Sequence, residues 1–133
     1  MPHFTVLVTL LAVILYFWMA LRVAQARGKF GVKPPATTGH PEFERAFRIQ
    51  ANTLEWMPIF LPALWLAAIY VSDIGAALLG VVWIAGRALY LRGYALAAEK
   101  RETGFVVQAI AAGVLWLAAL IGVLASMLHA LGA

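Results

Sequence analysis

The sequence contains no cysteine, only six acidic residues among 133, and charged residues of either sign make up 12% of it. The missing cysteine excludes disulfides, thiolate metal sites and a thiol nucleophile belonging to the protein itself. Histidine is scarce: His3, His40 and His129 stand near one end, in a loop and near the other end, a scatter that offers no metal cluster. There is no Gly-rich phosphate loop, internal repeat or low-complexity tract. No basic soluble module exists either, so the net charge of +4 does not indicate a nucleic-acid partner.

Apolar surface is what the chain has in quantity, with 64% hydrophobic residues. Uncharged runs cover Phe4–Leu21, Trp56–Ser72, Ile74–Gly86 and Thr103–Leu128. A membrane span needs roughly 20 residues, fewer where long basic side chains reach out from its ends. The third run becomes long enough if its helix continues through Arg87, Tyr90 and Tyr94. The expected architecture is an all-α integral membrane protein. One domain covers residues 1–133, with spans near 3–26, 42–71, 75–100 and 103–130. "AQA" at Ala24–Ala26 looks like a signal-peptide cleavage site. However, no Lys or Arg precedes the apolar run, and Arg22 separates run from site, so the segment is expected to stay as a first helix.

Four spans gather the basic residues on one side: Arg22, Arg27, Lys29 and Lys33 after the first helix, Arg45 and Arg48 opening the second, Lys100 and Arg101 closing the third. The other side holds the "SDIG" turn, Ser72–Gly75, and both termini. The positive-inside rule puts the basic side in the cytoplasm. There the loop "KPPATTGHPEF", Lys33–Phe43, is expected to form an ordered turn into the second helix. Pro41 would stand at its first position, with Glu42 and Glu44 favouring the helix dipole.

The second helix opens with "FERAFRIQANTLEW", Phe43–Trp56, which is unusually polar for a span. At helical spacing Arg45, Arg48, Asn52 and Glu55 share an arc of roughly 80°, with Trp56 at its edge and Gln50 pointing nearly the opposite way. Glu44–Arg48 and Glu42–Arg45 could be ordinary headgroup-level ion pairs. That explanation serves Glu55 poorly, because it abuts the apolar span, where an ionisable group normally faces a partner helix or a watered cavity. In the third helix Arg87, Tyr90, Tyr94 and Arg101 share an arc of only about 60°, while Lys100 lies about 100° away from Arg101. Each tyrosine alone could be an interfacial belt residue and Arg101 a snorkelling end cap. Arginines, an acid, an amide and phenols together suit a small zwitterion with more than one carboxylate. Glutathione has that chemistry, and its thiol would supply the nucleophile the protein lacks.

"PPATTGHPEFERAFRIQANTLEWMPIFLPALW" and "YLRGYALAAEKR" carry the strings ERxxRxQxNxxE and RxxYxxxYxxxxxxR. These resemble the MAPEG family, membrane-associated proteins in eicosanoid and glutathione metabolism, above all its cysteinyl-leukotriene synthase and microsomal glutathione transferase branches. The resemblance implies a homotrimer of four-helix protomers in a bacterial inner membrane, with glutathione as co-substrate at three sites between neighbouring subunits near the cytoplasmic face. By position it implies glutathione-binding roles for Arg27, Arg48, Asn52, Glu55, Tyr90 and Tyr94, and for Gln50 as in some members. Arg101 matches the arginine that stabilises the glutathione thiolate. Arg45, Arg87 and Trp56 would support the site from behind. Two departures stand out. Trp56 replaces a tyrosine of the leukotriene synthases, and Gly28 and Gly31 replace arginines.

The implied activity is a membrane-bound glutathione transferase acting on apolar electrophiles, with reduction of lipid hydroperoxides as a further activity. The second substrate, an electrophile or lipid, would arrive from the bilayer. Two alternatives are a non-catalytic lipid-binding relative, which would lack the full glutathione set, and a small membrane transporter, which would carry its acid in the first helix. Glutathione binding with turnover of an aryl halide separates all three.

Overall fold

A computed structural model gives the fold and describes residues 1–132. Its long helices are α1 (His3–Phe30), α2 (Pro41–Tyr70), α3 (Asp73–Leu96) and α4 (Glu102–Gly132), with a short 3-10 turn, Ala98–Arg101, between the last two. All four are long and apolar enough to cross a membrane, and the chain is an integral multi-pass membrane protein.

The helix ends follow from local chemistry. Nothing in "VAQARGKF" stops α1 until Gly31, which takes a left-handed φ of 67° and donates its N–H to the Arg27 carbonyl. The helix therefore runs to Phe30 rather than to residue 26. Pro41 opens α2, and the His40 ring accepts the Glu42 N–H at 3.2 Å. The connecting loop is held down where Phe30 stacks on His40 at 3.7 Å and Arg27 donates to the Ala36 carbonyl at 2.8 Å. At the opposite end Ser72 caps α3 through the Gly75 N–H at 3.1 Å. Asp73 accepts the N–H groups of Phe4 at 3.1 Å and Thr5 at 2.9 Å, so the start of α3 caps the start of α1.

In the bundle α2 and α3 form the middle pair, with α1 packed against both and α4 against both. Small side chains let the helices approach: Ala63, Ala67, Ala76, Ala77, Ala111 and Ala112 are buried around the stacked Phe60–Trp83 pair, whose rings lie 3.9 Å apart. α4 comes close to α3 at Gly104, where an added Cβ would overlap the Tyr90 backbone. That approach fixes α4 directly beside Tyr90.

The third helix departs from expectation. It ends at Leu96 instead of continuing to residue 100; Ala97 is extended and residues 98–101 form the 3-10 turn. A helix reaching residue 100 would leave too little chain to reverse direction and bring Gly104 back against Tyr90. Gly93 makes the reversal possible, because the Lys100 carbonyl lies where its Cβ would otherwise be. Arg101 therefore does not belong to the α3 face.

Candidate functional site

At the basic end of the bundle, Arg48 and Asn52 from α2, Tyr90 and Tyr94 from α3, Arg101 from the 3-10 turn, and Glu102 and Phe105 from α4 line one cleft of about 330 Å³. The tyrosine rings meet edge to face at 5.5 Å. Arg101 folds back over Tyr94, its guanidinium carbon 5.4 Å from the ring centroid, and is held there by a 2.8 Å bond to the Ala98 carbonyl. Helical periodicity placed Arg101 beside the tyrosines, yet a turn brings it there. Lys100 does not line the cleft.

Behind this wall lies a chain of hydrogen bonds. Arg87 is fully buried. Its Nη1 donates to Asn52 Oδ1 at 2.9 Å and to Thr53 Oγ1 at 3.5 Å. Rings of Tyr90, Trp83 and Trp56 surround it at 4.8, 5.7 and 5.9 Å. A guanidinium cannot accept a hydrogen bond, so Asn52 must turn its oxygen toward Arg87 and its NH₂ outward. That NH₂ donates to Glu55 Oε2 at 3.2 Å, and Glu55 Oε1 accepts from Arg48 at 3.1 Å. The order of the chain is Arg87, Asn52, Glu55, Arg48. The Arg48 and Glu55 side chains are 51% and 53% exposed, so their ion pair contributes only about 0–1 kcal/mol and opens readily.

Other expected residues lie elsewhere. Gln50 donates to the Tyr16 hydroxyl at 3.2 Å, on the α1 side of α2. Arg27 holds the Ala36 carbonyl and stands 4.7 Å over Phe43. Within one protomer these two do not reach the cleft. Arg45 is half-buried with its Nε lacking a protein partner. Trp56 packs edge-on against Phe105 at 5.5 Å. Sequence reasoning missed Glu102 and Phe105, which enter from beyond the α3–α4 turn; helix periodicity carries no signal across such a break. Among the described residues, no three His, Asp or Glu side chains gather into a metal-binding group.

The MAPEG family model matches residues 5–121. The chain belongs to the MAPEG family. Among relatives of this MAPEG chain, an uncharacterized protein of Synechocystis sp. is 50% identical over 118 residues, 89% of this chain and 86% of the relative. Human microsomal glutathione S-transferase 2 is 50% identical over 107 residues, 80% and 71% of the two chains. Bovine leukotriene C4 synthase is 44% identical over 123 residues, 92% and 82%. The MAPEG chain is thus related both to a protein named as a glutathione transferase and to one named as a leukotriene synthase.

Proposed function

We propose that this MAPEG protein is a membrane-bound glutathione transferase, working as a homotrimer whose neighbouring copies close the cleft. The carrying observation is the convergence of Arg48, Asn52, Tyr90, Tyr94 and Arg101, from three separate elements, on one cleft. The exposed Arg48–Glu55 pair suits a zwitterion. A glutathione carboxylate would take Arg48 and its ammonium Glu55, exchanging one internal ion pair for two external ones. Asn52, oriented by Arg87, offers its NH₂ to a peptide carbonyl. Glu102 places a second acid on the cleft wall.

Arg101 is the cation for the thiol. Only the thiolate attacks well, and a nearby guanidinium lowers the thiol pKa. Arg101 is exposed in a single protomer. In water a charge at 4 Å is worth about 1 kcal/mol, less than one pKa unit; at an effective dielectric near 20 it is worth about 4, or nearly three units. Activation therefore requires that water be kept out, and a neighbouring copy would do this. Gln50 and Arg27 face away from their own cleft, so they would serve the site of the next copy.

The apolar substrate has its own place. A groove of about 510 Å³ runs between α2 and α4, lined by Pro58, Ile59, Pro62, Leu66, Trp116 and Leu120 among others. Glu55, Ile59, Pro62 and Leu66 fall within about 60° of one another on α2, so the groove continues the polar stripe. An electrophile or lipid hydroperoxide moving along it from the bilayer would enter the polar cleft past Glu55 and there meet the thiolate held by Arg101. The basic end then faces the cytoplasm, where glutathione is found. Trp56 in place of tyrosine favours a general detoxifying transferase over leukotriene synthesis. The test is glutathione-dependent turnover of an aryl halide by the purified protein. Absence of both glutathione binding and turnover in a folded preparation would refute the proposal.

A further inference from the structure

Away from the cleft, α1 carries a second pattern. Leu11, Leu15, Trp18, Arg22, Gln25 and Lys29 share an arc of roughly 80°. The stripe is apolar through Trp18 and polar or cationic from Arg22 onward. Leu11 and Trp18 are 45% and 47% exposed. The polar half borders two adjoining clefts of about 70 and 220 Å³, and Arg22, Glu42 and Ala46 line both. Leu91 and Ala95 of α3 wall the smaller one; Gln25 and Lys29 wall the larger. Arg48–Glu55 is the one ion pair among the described residues, so Arg22 and Lys29 are not neutralised, although Glu42 stands nearby.

Depth matters as much as charge. The 28 residues of α1 extend roughly 42 Å, against a hydrocarbon core of about 30 Å. Since the uncharged run stops at Leu21, the overhang begins at Arg22 and lies in the headgroup layer. The stripe also lies apart from the face of α1 that carries Tyr16 and Arg27, which are about 120° and 140° round from Arg22. A neighbouring copy seated on that other face would leave the stripe to lipid.

We propose that this stripe binds an anionic phospholipid, its phosphate against Arg22 and Lys29 and an acyl chain along Trp18, Leu15 and Leu11. Two cations without an ion-pair partner, Lys29 lying 5.1 Å over the Phe30 ring, stand above an apolar track in which Leu11 and Trp18 are exposed and Leu15 is half-buried. Together they match the two halves of such a lipid. A choline headgroup would bring its own cation toward Arg22, so a net negative headgroup is preferred. Glu42 opposes binding and limits its strength.

Native mass spectrometry of the full chain in detergent would test the site. The protein is titrated with phosphatidylglycerol, with phosphatidylcholine of the same acyl chains, and with soluble glycerol phosphate. Phosphatidylglycerol is expected to bind more tightly than phosphatidylcholine, and glycerol phosphate not to compete. Arg22→Gln and Lys29→Gln should each weaken phosphatidylglycerol binding about five-fold. Glu42→Gln should strengthen it. Lys33→Gln removes an equal charge outside the stripe and should change nothing. Equal weakening by Lys33→Gln would mean diffuse attraction to net charge and overturn the site. Effective competition by glycerol phosphate would show a free-phosphate site instead. Loss of the oligomer in Arg22→Gln with unchanged lipid retention would make the stripe a protein interface. None of these readouts depends on glutathione chemistry.

Discussion

The two clefts that share a face of α2 differ in how they are built. The polar one, about 330 Å³, is backed by directed bonds, one across helices from Arg87 of α3 to Asn52 of α2 and two along α2 through Glu55 to Arg48. The apolar one, about 510 Å³, is bounded by side chains without directed bonds, and Pro58 and Pro62 each remove a helical N–H donor there. Hydrogen bonds impose orientation, whereas apolar contact imposes only size and shape. The two constructions imply a division of labour. The polar cleft should recognise one ligand stringently, and the apolar groove should accept many.

The largest effect should come from Arg101. Arg101→Ala should lower turnover roughly 100-fold, the equivalent of about two pKa units of thiol activation, while glutathione affinity stays within a few-fold. Steady-state kinetics with an aryl halide would show it, and Lys100→Ala, whose side chain lies outside the cleft, should behave as wild type. Next come the gripping residues. Arg48→Ala and Glu55→Gln should each raise the KM for glutathione roughly tenfold or more, since a charged hydrogen bond is worth about 1.5–3 kcal/mol. Because the two side chains bond each other, the double variant should lose less than the sum of the singles. Normal KM values in both single variants would reduce the α2 stripe to a headgroup contact.

Arg87 probes the same chain from behind. Arg87→Met removes the bond that orients Asn52, so the KM for glutathione should rise up to about tenfold with kcat within a few-fold. A fall in kcat at constant KM would mean that Arg87 acts on the reaction itself. The smallest effect should appear in the groove. Leu66→Trp should raise the KM for a long-chain lipid hydroperoxide a few-fold and leave that for a small aryl halide and for glutathione unchanged. If glutathione affinity changed instead, the two clefts would not be separate in function.

Much of this contrast is legible in the amino-acid order, but unevenly. The spans are visible because apolar runs of sufficient length have few other uses. The Arg48, Asn52 and Glu55 stripe is visible because α2 is regular there, and a regular helix converts spacing into direction. What sequence could not supply lies where regularity fails or where another helix decides. The break at Ala97 moves Arg101 off α3 and brings Glu102 and Phe105 to the cleft, and its cause is a tertiary one, the approach of α4 to α3 at Gly104. Spacing points Gln50 away from the stripe, but its partner Tyr16 lies 34 residues earlier on α1, and only packing pairs them. The resemblance puts Arg87 behind the site, but its bond to Asn52 Oδ1 depends on how α3 is rotated against α2, which spacing within one helix does not give.

Catalysis as proposed requires a glutathione thiolate held beside Arg101. Ultraviolet difference absorbance of glutathione bound to the purified protein at neutral pH measures this directly. A thiolate band should form on binding, persist in Lys100→Ala and vanish in Arg101→Ala, although that variant still binds glutathione. Bound glutathione without a band in the wild-type protein would contradict the account, as would a band lost in Lys100→Ala and kept in Arg101→Ala.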